Sequence, residues 1–359
     1  MKKIAIITLS DFNNYGNRLQ NYALERIIRS QGYEVVSLVN YRPCFPKTIL
    51  KTIVKKDSNE FTYRIKNLRR LRKFLKFDKK YVHTLSVNAK DFRGISDDEY
   101  YCFIVGSDQV WNPDWAKYTY DWMFLRFCSP AKRISYAASF GVDKIPEEWT
   151  SKYREGLMNF KALSVREDKA VDIVKSITGI ICNKVLDPTM LLDKSEWNII
   201  KKMPSNVNGQ DYILTYFLGG RTSAVNETVY RYAKSIDSTV INLQDCDTNY
   251  YTVGPDEFVG LISEAKMVLT DSFHATVFSI IYEKPFVVYD RQGNGRKMGS
   301  RLSSLLEMCD LNDRKASELD EQKLLYVNYE KARLVIQREK VHSLRYLNEA
   351  IQSSEDSVG

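Results

Sequence analysis

Near residue 270 the sequence sets an acid, a hydroxyl and an imidazole within four positions, Asp271-Ser272-Phe273-His274, where a short apolar run stops and a helical pattern begins. Met267, Val268 and Leu269 read as a buried strand, and Thr270, Asp271 and Ser272 are all good N-cap residues. The free N–H groups of the helix then point beyond the strand end, and that end carries partial positive charge that binds anions. His274 stands in the first turn, where an imidazole can move a proton for a bound anion; the plainer reading is a packed histidine at an ordinary strand-to-helix turn. Asp271 accepts a proton or caps the helix, and the cap is expected first.

Other residues with chemistry to offer also follow apolar runs. Ile104-Val105 leads into Gly106-Ser107-Asp108-Gln109-Val110-Trp111-Asn112, small residues and then an acid that accepts a proton or orients its own loop. Residues 162–165 read as a strand ending at Arg166-Glu167-Asp168, with Asp168 opening a helix. Asp187 is held extended by Pro188. Asn17 closes a polar loop after the first strand, the edge at which open α/β sheets bind ligands. That loop lacks the G-x-G-x-x-G spacing, which removes a dinucleotide site there.

The elements that must position these residues alternate strand and helix. Residues 4–7, 33–39, 101–105, 134–141 and 162–165 read as strands of a first parallel sheet, with a helix carrying Leu19, Tyr22, Ala23, Ile27 and Ile28 on one face. A second α/β pattern follows the Pro/Gly/Asn-rich stretch at 204–210, with strands near 212–218, 239–243, 267–269 and 285–289. Pro255 suits the first turn of a helix. The chain is strongly helical from about 318 to 351. The expected organisation is an α/β domain over 1–203 with a basic insertion at about 47–80, a second α/β domain over 210–315, a helical segment at 316–352 and a polar tail at 353–359. Two lobes facing a cleft are the expected architecture for such a chain.

Composition narrows the class. The 359 residues are 44% hydrophobic and 27% charged, as in soluble globular proteins. No apolar run is long enough to span a bilayer, and the N-terminus turns polar too soon for a signal peptide. Six scattered cysteines without a C-x-x-C pair argue for a reducing cytoplasm and against a zinc site, and no ligand cluster calls for a metal. Residues 47–80 hold 13 Lys/Arg against Asp57, Glu60 and Asp78, so the net charge of +8 is concentrated there. Charge confined to one segment, without aromatics interleaved in a recognisable module, makes nucleic acid a poor partner. Within it Phe61, Ile65, Leu68, Leu71 and Leu75 recur at helical spacing between basic residues. Such a helix either packs on its own domain with a solvated basic face, or contacts anionic lipid headgroups or a lipid-diphosphate acceptor.

In order and spacing, Asn14-Tyr15-Gly16-Asn17, the 104–112 stretch, Ser135-Tyr136-Ala137-Ala138-Ser139-Phe140-Gly141, Ser164-Val165-Arg166-Glu167-Asp168, Asp187-Pro188-Thr189 and Asp271-Ser272-Phe273-His274-Ala275 resemble the polysaccharide pyruvyl transferase family. The resemblance implies two Rossmann-like domains facing a cleft, as in GT-B enzymes. It also implies transfer of a pyruvyl group from phosphoenolpyruvate, the donor substrate, to a sugar of a surface-glycan precursor, commonly as a cyclic ketal, with no cofactor. Arg166 matches the family's arginine and is the first choice to grip the donor; His274 matches its histidine, to protonate the enol carbon or assist phosphate departure. Many members carry an arginine where this chain has Ser272, so the second cation is sought among Arg221, Arg291, Arg296 and Arg301, with Lys297 in the same glycine-bounded loop as Arg296. For the acceptor, Asn17 and Gln109 are expected to hydrogen-bond sugar hydroxyls and Trp111 to offer a stacking face. The expected setting is the cytoplasm, at the inner membrane face if the acceptor is lipid-linked. Two rivals stay open: a glycosyltransferase using a nucleotide sugar, and a non-catalytic glycan- or membrane-binding module.

Overall fold

The computed structural model describes residues 1–9, 14–40, 58–88, 92, 94–207, 209–292 and 299–353. Expectations for Arg296, Lys297 and residues 47–57 of the basic insertion lie outside the described residues, as does most of the polar tail.

The first sheet is built from β1 (Lys3–Ile7), β2 (Glu34–Val39), β3 (Thr84–Ser86), β4 (Cys102–Val105) and β5 (Arg133–Ser135), in the order β3-β2-β1-β4-β5 and all parallel. Between β1 and β2 runs α1 (Tyr15–Ser30); between β2 and β3 runs the basic helix α2 (Ser58–Tyr81). Next come α3 (Pro113–Met123) and α4 (Glu147–Met158). A short parallel ladder of β6 (Ser164–Val165) and β7 (Asn183–Lys184) follows, joined by α5 (Asp168–Thr178), which Asp168 opens. The strand expected through residue 141 stops at Ser135, after which only Ala138 makes isolated bridges, to Asp108 and Val165.

After α6 (Lys194–Asn198), the second sheet comprises β8 (Tyr212–Tyr216), β9 (Thr239–Asn242), β10 (Met267–Thr270) and β11 (Phe286–Val288), ordered β11-β10-β8-β9 and parallel throughout. Its helices are α7 (Ser223–Ser235), α8 (Pro255–Glu264), α9 (Phe273–Ile281) and α10 (Gly299–Met308). These paired parallel sheets are the two Rossmann-like units that the resemblance implies. The last helix, α11 (Glu330–Gln352), returns to the first sheet, where Tyr346 Oη donates to Ser135 O at 2.9 Å and the Leu186 N–H donates to Ser343 Oγ at 2.9 Å.

One hydrophobic cluster runs through both halves, from Ile4 and Leu19 to Phe258, Val277 and Ile351. Tyr15 at the start of α1 stacks on Phe258 of α8 with ring centroids 4.4 Å apart, and its hydroxyl donates to Val253 O. Burial on nearly every side of α1 follows, because it is packed between its own sheet and the second one. In each sheet strand order reverses once, between β1 and β4 and between β8 and β10, and such reversals open a crevice at the carboxyl ends of the strands.

Candidate functional site

The two crevices are lined by the residues that drew attention in the sequence. Beyond β4, Asp108 is held in a left-handed conformation with φ of 70°, an uncommon state for a non-glycine residue and one found at functional sites. Surrounding bonds impose it: Asn17 Nδ2 donates to Asp108 Oδ2 at 2.7 Å, Arg166 Nη2 lies 3.3 Å from Oδ1, and Arg301 Nη1 lies 3.5 Å from the same oxygen. Gly106, at φ of 121°, lets this loop pass the β5 exit; a Cβ there would stand 2.1 Å from Tyr136 O.

Asp187, beyond β7, is the hub. The Thr189 N–H and hydroxyl both donate to Oδ1, at 3.0 and 2.6 Å, a turn bond that Pro188 preorganises. Oδ2 accepts from Ser107 Oγ at 2.8 Å and Arg166 Nη1 at 2.6 Å, and His274 Nε2 lies 3.6 Å away. Burial pushes the Asp187 carboxyl up, but His274, Arg166 and Thr189 together hold it well below its ordinary value. Asp108 is likewise held low by Arg166, His274 and Arg301 against burial. Glu167 goes the other way: burial raises it despite Arg166, Arg301 and a bond from Ser139 Oγ.

From the second sheet, β10 and α9 deliver His274. Its neighbour Ser272 is the N-cap, accepting from the Ala275 N–H. Gly16 of α1 lies directly against the imidazole; a Cβ there would fall 1.9 Å from Nδ1. Arg301 of α10 reaches in from the same side. Burial and Arg166 pull its guanidinium down to about 10, with Asp108 and Glu167 opposing. Gln109, its amide oxygen turned to that guanidinium, accepts at 2.6 and 3.1 Å.

Several expectations are corrected by this geometry. Asp271 does not cap α9: its carboxylate accepts from the Leu218 and Gly219 N–H groups at 2.6 and 2.8 Å and lies 3.5 Å from Arg291 Nε, so it anchors the loop after β8. That leaves it poorly placed as a proton acceptor. Ser272 is committed to its cap. Trp111 is a core residue, with Phe124, Phe140 and Phe160 packed around its indole, so no face remains for a sugar. Arg166 is less a donor grip than a lock: it is shared among Asp187, Asp108 and Glu167 and lies 4.2 Å over the Phe273 ring. Arg221 does not join the group; its guanidinium reaches Thr215 Oγ1 at 3.4 Å. Arg291, which donates to Asp271 O at 3.3 Å, is a described cation near the position that Ser272 leaves without one, and it lines a cavity of about 280 Å³ with Asp271, Leu302 and Lys315.

Buried atoms left without a hydrogen-bond partner sit in the same place: His274 Nε2, Asn17 Oδ1 and Glu167 Oε2. Such atoms cost free energy unless something else pairs with them, which is what a polar substrate does. Among the described residues no His, Cys, Asp and Glu group is placed to hold a metal ion. The role of Asp187 was missed in sequence; its only sign there was the Asp-Pro-Thr turn.

A family model described as polysaccharide pyruvyl transferase matches residues 14–293, spanning every residue of this cluster except Arg301. The chain belongs to the polysaccharide pyruvyl transferase family. It is a transferase of that family, and the candidate site lies between the two sheets. No curated protein matches the chain. Among solved structures it is similar to the UDP-GlcNAc 2-epimerase from Neisseria meningitidis bound to UDP-GlcNAc, at 11% identity and a TM-score of 0.44, covering 97% of this chain and 100% of that one. It is also similar to Arabidopsis thaliana UGT89C1 complexed with UDP-L-rhamnose, at 12% identity and a TM-score of 0.46, covering 98% and 94%.

Proposed function

We propose that this transferase moves the pyruvyl group of phosphoenolpyruvate onto two hydroxyls of a sugar in a surface-polysaccharide precursor, in the cytoplasm, releasing inorganic phosphate. The observation that carries the reading is the buried His274 Nε2, which has no hydrogen-bond partner and lies 3.6 Å from the Asp187 oxygen that Arg166 holds. In this scheme protonated His274 gives its proton to the methylene carbon of the donor, which becomes the methyl group. One sugar hydroxyl adds to the central carbon and loses its proton. The carbon–oxygen bond to phosphate then breaks, and a second hydroxyl adds and loses its proton to close the ketal. Arg301 and Arg291 hold the phosphate and carboxylate, as fixed cations do in acyl and phosphoryl chemistry. Asn17 Oδ1 takes an acceptor hydroxyl, Gln109 steadies Arg301, Asp187 supports His274 and Arg166 orients Asp187 and Asp108. The test is phosphate release from phosphoenolpyruvate with a panel of glycan acceptors: release that depends on acceptor and on His274 supports the reading, and release unchanged in His274→Ala overturns it.

A further inference from the structure

The basic helix α2 uses its two faces for different purposes, and the one expected to pack is turned outward. Its inward face is Arg70, Phe74, Phe77 and Asp78, all buried. From this face Lys73 pairs with Glu257 at 2.6 Å, Lys66 Nζ donates to Cys246 O at 2.5 Å, Asn67 Oδ1 accepts from Tyr251 Oη at 2.7 Å, and the Arg70 guanidinium lies over the Tyr15 and Tyr251 rings. The helix is thus fastened across to the second half of the chain.

With 3.6 residues per turn, Ile65, Leu68 and Leu75 fall roughly opposite that face, and Leu71 on its flank. All four are only half-buried, and none joins a core cluster among the described residues. Around them Arg69, Arg72, Lys76, Lys79 and Lys80 are exposed. Asp78, the acid of the helix whose side chain is described, turns inward to Arg18 at 2.9 Å. An apolar stripe bordered by basic side chains, whose aliphatic stems cover part of it, matches a helix lying in a bilayer interface. No helix among the described residues is long and apolar enough to cross a membrane, so the contact is peripheral.

We infer that the outward face of α2 docks on an anionic phospholipid surface, with Leu68 and Leu75 entering the headgroup boundary and Arg69, Arg72, Lys76 and Lys79 facing the phosphates. Docking needs no donor or glycan, so it stands or falls separately from the proposed reaction. The test is flotation of the full chain with phosphatidylcholine vesicles, with and without phosphatidylglycerol. Wild type floats with the anionic vesicles only, and less as salt rises. Changing Arg69, Arg72, Lys76 and Lys79 together to Gln weakens this by roughly 600-fold, at about fivefold per charge. Leu68→Ser with Leu75→Ser weakens it with all charges kept, and Lys73→Gln, on the inward face, leaves it unchanged. Melting temperature confirms that each variant is folded. Wild type that fails to float with the anionic vesicles overturns the inference; so does equal flotation of the four-charge variant, or equal binding to neutral vesicles.

Discussion

Arg166, at the end of the β6–β7 ladder, and His274, beyond β10 of the second sheet, meet at one oxygen of Asp187, at 2.6 and 3.6 Å. Neither residue is adjacent to Asp187 in sequence. The arrangement makes Asp187 the part on which both lobes converge, and it divides the cluster into groups that hold geometry and groups that face a ligand.

His274→Ala removes the proton-carrying group and is expected to lower the rate of phosphate release by about 10²–10⁴-fold. Asp187→Asn keeps the shape but loses the charge beside both His274 and Arg166, and should slow turnover as well as destabilise the fold. Rate and urea midpoint measured on the same samples separate the two effects.

Arg166 and Arg301 are predicted to behave differently. Arg166→Gln breaks a buried ion-paired network and should cost about 3–5 kcal/mol of stability. Arg301→Gln removes a more loosely paired cation and should raise KM for phosphoenolpyruvate by roughly 10- to 100-fold, with a smaller loss of stability. Denaturant titration and initial-rate kinetics report the two quantities.

Gly16→Ala places a methyl group where the His274 ring lies. The ring or the start of α1 must move, at a cost of about 1–3 kcal/mol. A displacement on the order of 1 Å at the reacting group lowers kcat by about 100-fold. A normal kcat in this variant would mean that His274 is not held in its working position here.

The pH dependence follows from the carboxyls. Asp108 and Asp187 titrate lower in the fold than in the unfolded chain, so their stabilisation is complete above about pH 4, the unfolded value, and is lost as pH falls through the lower folded values. Glu167 is raised by burial, so its contribution is present below about pH 4 and is lost as pH rises through its folded value. Asp108→Asn should therefore differ most from wild type near neutrality and converge with it in acid. Glu167→Gln should gain on wild type as pH rises. Urea melts across that range check both.

The strand-and-helix alternation was legible because buried parallel strands are short apolar runs and α1, α8 and α9 begin at recognisable caps or turns. His274 and Arg166 were legible as residues at strand ends. Which partners they take was not, because Asp108 and Asp187 come from distant loops of the first half, and Arg301 and His274 reach them only when the second half packs against it. Asp271 misled for a local reason: three good caps stand in a row at 270–272, and Ser272 takes the cap while Asp271 turns to the loop after β8. In α2 the apolar spacing was read correctly as helical, yet the buried face is the one carrying Arg70 and Asp78, whose partners come from other helices and loops.

Calorimetric titration tests, without needing the acceptor, whether the groove between the sheets takes a small enol phosphate through its phosphate and carboxylate. Phosphoenolpyruvate should bind wild type, bind Arg301→Gln at least tenfold more weakly, and resist displacement by uridine diphosphate. Tight binding of uridine diphosphate with no heat from phosphoenolpyruvate would contradict the account.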